Sequence, residues 1–118
     1  MKEPEAVNGL LIVSFEKSDR DMNIYSANQS FYQSYKIKPY ETIGKNFFKI
    51  NNRQWDVPTF RELLEKILPE NAQVNDYLID ENFPMIGHKK IAVNACQIYQ
   101  ERIKMILVAI EEVKNNKK

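Results

Sequence analysis

The sequence predicts an α+β domain in which helices pack on one face of a five-stranded antiparallel sheet. Three observations lead to this expectation. The segments follow the order β-β-α-α-α-β-β-β, neighbouring strands are joined by hairpin-length connections, and the helical segments fall between the two groups of strands. Because hairpins pair antiparallel neighbours, the two groups can join in one sheet, and the helices must then cover a single face of it.

Two strands open the domain. Residues 10–15 are rich in β-branched and aromatic side chains and are too few for a helix, so we expect a strand that is buried on both faces. Residues 16–21 are charged and turn-forming, and residues 22–26 alternate between apolar and polar side chains. This pattern predicts a β-hairpin.

A short helix and a further helical turn follow the hairpin. Ser26 or Asn28 can cap a helix whose apolar face includes Phe31. Pro39 then starts another turn, and Gly44 is suited to end it, because a residue without a Cβ enters the left-handed conformation freely. We expect structural roles for Asn28 and Gly44.

The clearest helix lies in the middle of the chain, after a predicted loop at residues 51–54. It is expected to begin with Asp56 as its N-cap, to carry Pro58 in its first turn and to end at Pro69. Its apolar side chains recur with helical spacing. These residues are Phe60, Leu63, Leu64, Ile67 and Leu68.

Strand character returns after the helices. Three further strands are predicted at residues 74–83, 91–99 and 104–113. Residues 9–113 are therefore expected to form one domain, preceded by a flexible N-terminus at 1–8 and followed by a polar tail at 114–118.

The composition is that of an ordinary globular chain of 118 residues, enough for one domain. Seventeen basic and sixteen acidic residues leave a net charge of +1, so nothing indicates binding to a nucleic-acid backbone. The longest apolar run, residues 105–110, is too short to cross a membrane. The single cysteine, Cys96, cannot close an internal disulfide, and we expect a reducing, cytoplasmic setting.

The same inventory removes most enzyme and metal chemistry. The one histidine, His88, cannot form a zinc site built on paired histidines, and it falls in a predicted turn at residues 84–88. Gly9, Gly44 and Gly87 are too scattered for a phosphate-binding loop. We therefore expect no catalytic residues and no metal site.

Several short motifs resemble those of PAS domains, the sensory modules of bacterial and archaeal signalling proteins. Residues 27–31 (Ala-Asn-Gln-Ser-Phe) and 40–45 (Tyr-Glu-Thr-Ile-Gly-Lys) are similar to the "aN-x-af" helix start and the "eE-x-iG-k" turn of that family. Residues 54–58, 63–64 and 83–87 resemble one subgroup. Its members precede histidine-kinase cores or accompany chemotaxis methyltransferase domains.

The resemblance covers residues 9–113 and implies a sheet that cups its helices around an interior, which in many PAS domains holds a small molecule. It also implies a homodimer and an output domain, such as a histidine kinase, in cis or in trans. The closing strand of the family usually ends in Asp-x-Thr before a linker helix, whereas residues 112–114 are Glu-Val-Lys. The coupling to an output domain is therefore expected to lie outside this chain.

The cofactor of such an interior stays unknown, but two classes fit the sequence poorly. A flavin-photosensing member carries its cysteine in an Asn-Cys-Arg stretch on the helix before the third strand, whereas Cys96 lies in the predicted fourth strand. A haem-binding member needs an axial histidine on the helical side, and His88 lies elsewhere. We therefore expect neither covalent flavin photochemistry nor haem binding.

The predicted interior is apolar and aromatic, so side chains that could contact a ligand could equally be ordinary core. Trp55 and Asn94 stand out. A buried tryptophan N–H needs a partner, and the amide of Asn94, inside an apolar strand, either bonds the backbone or faces a ligand or water. The candidate lining residues are Phe31, Tyr32, Phe47, Phe48, Trp55, Phe60, Leu64, Ile79, Val93 and Asn94.

Together these features predict a non-catalytic sensory or interaction module of a bacterial or archaeal signal-transduction protein, acting as the sensor part of a two-component histidine kinase. We expect a homodimer, because helices on one face would leave Ile12, Ile106, Val108 or Ile110 uncovered on the other. Two alternatives stay open. One is a small α+β cone enzyme of isomerase or dehydratase type, and the other is a dimerisation adaptor without a ligand.

Overall fold

In the computed structural model, which describes residues 10–18 and 21–113, five strands form one antiparallel sheet with the order β2-β1-β5-β4-β3. The predicted fold class is confirmed. The strands are β1 (Leu10–Lys17), β2 (Met22–Ala27), β3 (Gln73–Phe83), β4 (Gly87–Gln100) and β5 (Ile103–Glu112). The predicted flexible N-terminus at 1–8 and polar tail at 114–118 lie outside the described residues.

Helical segments connect β2 to β3 and pack on one face of the sheet. They are α1 (Gln29–Tyr35), a 3₁₀ turn (Pro39–Glu41), α2 (Ile50–Arg53), α3 (Pro58–Glu62), a π turn (Leu63–Ile67) and a second 3₁₀ turn (Leu68–Glu70). The last three follow one another without a break, and we call them the long helix. The face of the sheet that they cover is the inner face, and the opposite one is the outer face.

The alternation of β5 places its side chains differently from the expectation. Ile106, Val108 and Ile110 are at most 1% exposed and lie on the inner face, whereas the neighbouring Leu107 lies on the outer face and is 38% exposed. The expectation that Ile106, Val108 and Ile110 lack cover is therefore wrong. The residues of β5 are apolar at both phases of the two-residue repeat, so the sequence pattern did not tell which phase faces the helices.

Strand β1 is buried along its inner face, whereas on its outer face Ser14 alone is buried, so the expected burial on both faces is only partly met. Leu11, Val13 and Phe15 are buried beneath the helices. Leu10 is exposed and Ile12 is half-buried on the outer face. β1 is a central strand that pairs with β2 and β5, which explains its run of apolar residues. Helices cover only one of its two faces.

Asn28 ties α1 to the first strand. Its side-chain Oδ1 accepts hydrogen bonds from the backbone N–H groups of Phe31 and Ile12, both at 3.0 Å, and its Nδ2 donates to the carbonyl of Leu10 at 3.1 Å. Its own N–H donates to the carbonyl of Ile12 at 2.9 Å. One residue therefore serves as the N-cap of α1 and as the anchor that holds this helix against β1. Ser26, the other predicted cap, lies within β2.

Gly44 turns the chain back along the edge of β2. Its φ of +81° is the left-handed conformation that the sequence predicts. The N–H of Gly44 donates to the carbonyl of Ile24, and the N–H of Ile24 donates to the carbonyl of Lys45, both at 2.8 Å. The N–H of Phe47 then donates to the carbonyl of Met22 at 2.9 Å. The reversal thus covers the edge of β2 and delivers Phe47 into the core.

Residues 51–54, predicted as a loop, form a tight turn that includes α2 but does not follow a regular right-handed helix. The turn α2 contains left-handed residues, with φ of 48° at Asn51, 57° at Asn52 and 60° at Arg53. Asparagine tolerates this conformation better than other residues with a side chain. The side-chain amide of Asn51 also donates to Oε1 of the buried Gln54, which steadies the turn before the long helix.

Asp56 is not the N-cap of the long helix, contrary to the expectation. The N-cap is Val57, with Pro58 in the first turn, and the apolar side chain of Val57 bonds none of the free N–H groups there. Asp56 instead forms ion pairs with Arg53 and Arg61. The physical reason is that two guanidinium groups offer charge-assisted hydrogen bonds, which are stronger than a bond to a neutral backbone N–H.

The long helix changes its hydrogen bonding near its end. The N–H of Leu68 donates to the carbonyl of Leu63, five residues back, so the helix widens into a π turn. The predicted end at Pro69 comes one residue early, because a 3₁₀ turn carries the helical path to Glu70. Proline has no N–H to continue the α-helical pattern, which fits a change of hydrogen bonding just before it.

Substitution of Asn28 tests the anchor. Asn28→Ala removes three side-chain hydrogen bonds and is expected to lower the free energy of unfolding by about 2 kcal/mol. Urea unfolding, followed by circular dichroism, measures the change. Asn28→Asp is the comparison variant, since it keeps the acceptor for Phe31 and Ile12 but replaces the donor to Leu10 with an oxygen that the Leu10 carbonyl repels, so a loss smaller than that of alanine is expected. An alanine variant as stable as the parent would contradict this role.

Candidate functional site

The space between the sheet and the helices is filled by an aromatic cluster to which β1, α1, the segments that precede the long helix, the long helix itself and β3 each contribute. Every member is at most 2% exposed. The cluster consists of Phe15, Phe31, Phe47, Trp55, Phe60 and Phe83. It occupies the interior that the family resemblance implies, which in many PAS domains holds a small molecule.

Trp55 lies at the centre of the aromatic cluster. Its ring is stacked on that of Phe47, with a centroid distance of 5.9 Å and an interplanar angle of 9°, and on that of Phe31 at 6.4 Å. Phe60 and Phe83 contact it edge-on, at centroid distances of 5.9 and 5.8 Å. These are ordinary contact distances between aromatic rings. Protein side chains therefore surround Trp55 on four sides.

Most of the predicted lining residues do come together. Leu64, Ile79 and Val93 have no exposed surface and belong to the same core as the four predicted members of the aromatic cluster. Phe48 is buried at its edge, and Tyr32 is half-buried, with its ring centroid 6.0 Å from that of Phe31. The structure shows these side chains packed against one another.

Sequence reasoning missed two members of the aromatic cluster, Phe15 and Phe83. The ring of Phe15 lies 4.7 Å from that of Phe47, between centroids. Both residues were visible in the strand alternation, because Phe15 shares a face with Val13, and Phe83 shares one with Ile79. The missing information was which of the two faces receives the helices.

Asn94 lies away from the aromatic cluster, on the outer face of β4. Its Oδ1 accepts a hydrogen bond from the backbone N–H of Asp76 at 2.9 Å. Asp76 has a φ of 53° and lies in a bulge, where the pairing of β3 with β4 shifts register between Val74 and Tyr77. Of the two roles open to this amide, the structure shows the bond to the backbone, which holds the bulge.

A charged network borders the aromatic cluster. Asp56 Oδ2 lies 2.8 Å from Arg53 Nη1, and Asp56 Oδ1 lies 2.5 Å from Arg61 Nε. Arg61 Nη1 also lies 2.8 Å from Glu65 Oε2, and its guanidinium carbon is 4.3 Å from the centroid of the Phe48 ring. The hydrogen bond from Arg61, helped by Arg53, lowers the pKa of Asp56 against the opposing effect of burial. The same bond raises the pKa of Arg61.

The outer face of the sheet carries an apolar stripe that no helix of the described chain covers. Its members are exposed or half-buried side chains of β1, β5 and β4. In the register, Ile12 is opposite Ala109 and Ile98 is opposite Met105, so the members are neighbours. We define the outer-face stripe as Leu10, Ile12, Ile98, Met105, Leu107 and Ala109.

His88 and Cys96 lie apart from one another and from the aromatic cluster. His88 is near the start of β4 rather than in the predicted turn, is largely exposed, and has its Nε2 2.6 Å from Asp80 Oδ1. Within residues 10–18 and 21–113, no three His, Cys, Asp or Glu side chains are grouped so that they could hold a metal ion. In the same part of the chain, no helix has the length and apolar character needed to cross a bilayer.

No protein-family profile matches the sequence, and no curated protein matches it. Solved structures do match. The PAS domain of BvgS from Bordetella pertussis superposes with a TM-score of 0.61 at 14% identity, over 94% of this chain and 81% of that one. The chain has a PAS fold.

Two further PAS-like neighbours have similar scores. The PAS domain of the nitrogen regulation protein NR(II) from Vibrio parahaemolyticus has a TM-score of 0.60 at 16% identity, over 96% of this chain and all of that one. A fungal LOV domain photoreceptor has a TM-score of 0.65 at 15% identity, over 88% of this chain and 74% of that one. In the PAS fold of this chain, Cys96 lies on the outer face of β4, opposite Leu107, and not beside the aromatic cluster.

The charged network predicts a specific acid dependence. The pKa of Asp56 is lower in the folded chain than the roughly 3.9 of an unperturbed aspartate. Its charge therefore stabilises the fold at pH values above about 4, and this contribution is lost as the pH falls through the lowered pKa. Asp56→Asn is expected to reduce the free energy of unfolding at neutral pH by about 1 kcal/mol, a small amount because both arginines are partly exposed to water.

Urea unfolding at a series of pH values measures this contribution. The difference between the parent and Asp56→Asn should shrink as the pH is lowered, since protonation removes the same charge. Glu70→Gln is the control, because Glu70 is exposed, forms no ion pair within the described residues and should change stability very little. A difference between parent and Asp56→Asn that stays constant with pH would show that the charge of Asp56 is not responsible.

Proposed function

We propose that this chain is a PAS-type interaction module of a signal-transduction protein and that it works as a homodimer through the outer-face stripe. The observation that carries the proposal is the stripe itself, an apolar surface at the centre of the sheet. The helices bury the centre of the inner face, and among the described residues nothing packs on the outer one. Contiguous apolar surface of this kind marks interaction sites in monomeric domains.

A second copy of the chain is the partner that suits the stripe. Its middle strand is β5, flanked by β1 and β4, so two stripes can face each other about a two-fold axis. Leu107 and Ala109 lie near the centre of the patch. Leu10 and Ile98 lie at its two ends, and both are more than 40% exposed, so dimerisation would remove much apolar surface from water.

The names of the neighbouring structures support a signalling role. One is the PAS domain of a nitrogen regulation protein, and the fungal LOV domain belongs to a blue-light photoreceptor. We extend the proposal to an output domain of the histidine-kinase type, in cis or in trans. A change in how two stripes pack would move β5, and β5 is the strand through which the movement would reach such a domain.

The close packing around Trp55 supports an interior without a ligand, so the dimerisation adaptor is favoured over a receptor that encloses a small molecule. Ligand contact by the predicted lining residues around Trp55, which are Phe31, Phe47 and Phe60, would require these rings to separate. The cone-enzyme alternative needs a buried carboxylate. The buried polar side chains of the described chain are Ser14, Thr42 and Gln54, and none of them is an acid.

A charge placed in the outer-face stripe tests the dimer. The parent is expected to sediment as a concentration-dependent dimer at about 100 µM, and Leu107→Arg to weaken the dimer at least about tenfold, since the guanidinium would be buried without a partner. Analytical ultracentrifugation measures both.

Ile43→Arg provides the matched control for this experiment. Ile43 is an aliphatic residue of similar exposure, 43% against 38% for Leu107, and it follows the first 3₁₀ turn, outside the stripe. This variant should leave the dimer intact. A parent that stays monomeric across the concentration range, or a control that weakens the dimer as much as Leu107→Arg, would refute the proposal.

A further inference from the structure

A charged cleft opens on the surface where the β1–β2 hairpin meets the long helix. Its volume is about 430 Å³, within the range of sites for small ligands. Among the described residues, three cationic side chains, Lys17, Lys49 and Arg61, and two carboxylates, Asp21 and Glu65, line it. They come from separate parts of the chain, and together they leave one excess positive charge.

Arg61 is held in place before any ligand arrives. Its Nε contacts Asp56 at 2.5 Å and its Nη1 contacts Glu65 at 2.8 Å, while the guanidinium lies over the ring of Phe48. A guanidinium has five N–H donors, so these contacts fix its plane and leave donors for another carboxylate. A group fixed in this way loses little conformational entropy when a ligand binds.

The two lysines of the cleft are available to an anion. Within the described part of the chain, neither Lys17 nor Lys49 forms an ion pair, and the Nζ of Lys17 donates only to the carbonyl of Ser18, at 2.8 Å. Within the same residues, the Asp21 side chain has a single hydrogen bond, a long contact of 3.4 Å with the side-chain amide of Asn46. In the described part of the chain, the cleft therefore offers two lysines without an ion-pair partner. It also offers the carboxylate of Asp21, which can accept a hydrogen bond from an ammonium group.

The floor of the charged cleft belongs to the core. Met22 and Phe48 line the cleft, and they are only 4% and 3% exposed. The ring of Phe48 lies 5.3 Å from that of Phe47, which stacks on Trp55. One ring thus separates the cleft floor from Trp55, the only tryptophan of the chain. A ligand in the cleft would contact the edge of the aromatic cluster without entering it.

We propose that the charged cleft binds a small dicarboxylic amino acid of the size of aspartate or glutamate. The two carboxylates of such a ligand meet Arg61 and the lysines, its ammonium group meets Asp21, and its short methylene chain lies along the cleft floor at Met22 and the edge of Phe48. Its net charge of −1 balances the excess positive charge of the lining. This binding site goes beyond the dimerisation module proposed above and does not depend on the dimer.

Isothermal titration calorimetry with L-glutamate and L-aspartate tests the site, using the parent protein. Saturable binding of at least one of them below about 10 mM is expected. Glutarate, which lacks the ammonium group, and L-glutamine, which lacks the second carboxylate, should each bind at least about tenfold more weakly. Absence of binding by both amino acids overturns the proposal. Equal binding of glutarate would make this a simple anion site and would overturn it as well.

Two lysine variants locate the binding. Lys49→Ala should weaken it about tenfold, since a charged partner is lost. Lys66→Ala, an exposed lysine of the long helix that does not line the cleft, should leave it unchanged. The fluorescence of Trp55 should shift on saturation, because Phe48 and Phe47 link the cleft to that ring. Binding that is insensitive to Lys49→Ala would place the ligand elsewhere and refute the assignment.

Discussion

The pairing of β1 with β5 is the contact on which the rest of the structure depends. Its register runs without interruption from Leu10 opposite Glu111 to Lys17 opposite Lys104, and it joins the N-terminal hairpin to the three C-terminal strands. This pairing makes β2 and β3 the two edges of the sheet. The helical connection between them must therefore pass from one edge to the other, and it does so across a single face.

Because the helices cross the sheet on one side only, the inner face, the outer face and the rim differ in chemistry. Beneath the helices, aromatic rings from several elements pack around Trp55. The outer face keeps the apolar stripe centred on Leu107. Charged side chains collect at the rim, where Arg61 of the long helix reaches over Phe48. The PAS fold of this chain thus separates a packed interior from an apolar face and a polar cleft, each of which is suited to a different kind of contact.

Local sequence signals predicted several of these elements correctly. Asn28 has a short side chain that can accept from a free helical N–H, and Gly44 has no Cβ to oppose a positive φ, so each local choice follows from the residue itself. The helical spacing of Phe60, Leu63 and Leu64 likewise needs no knowledge of distant residues. Asp56 shows the limit of such reasoning. Its residue type suits a helix N-cap, but its carboxylate pairs with Arg61 instead.

The sequence by itself determined the order and type of the elements, since propensity, capping and the period of apolar residues are local properties. Only the tertiary structure decided which face of β5 receives the helices and that Asn94 holds a bulge instead of facing the interior. The physical reason is that a strand with apolar residues at both phases of its repeat has two nearly equal ways to face the core. The helices cross over the paired strands β1 and β5 on one side, and this crossing decides which face of each strand is buried.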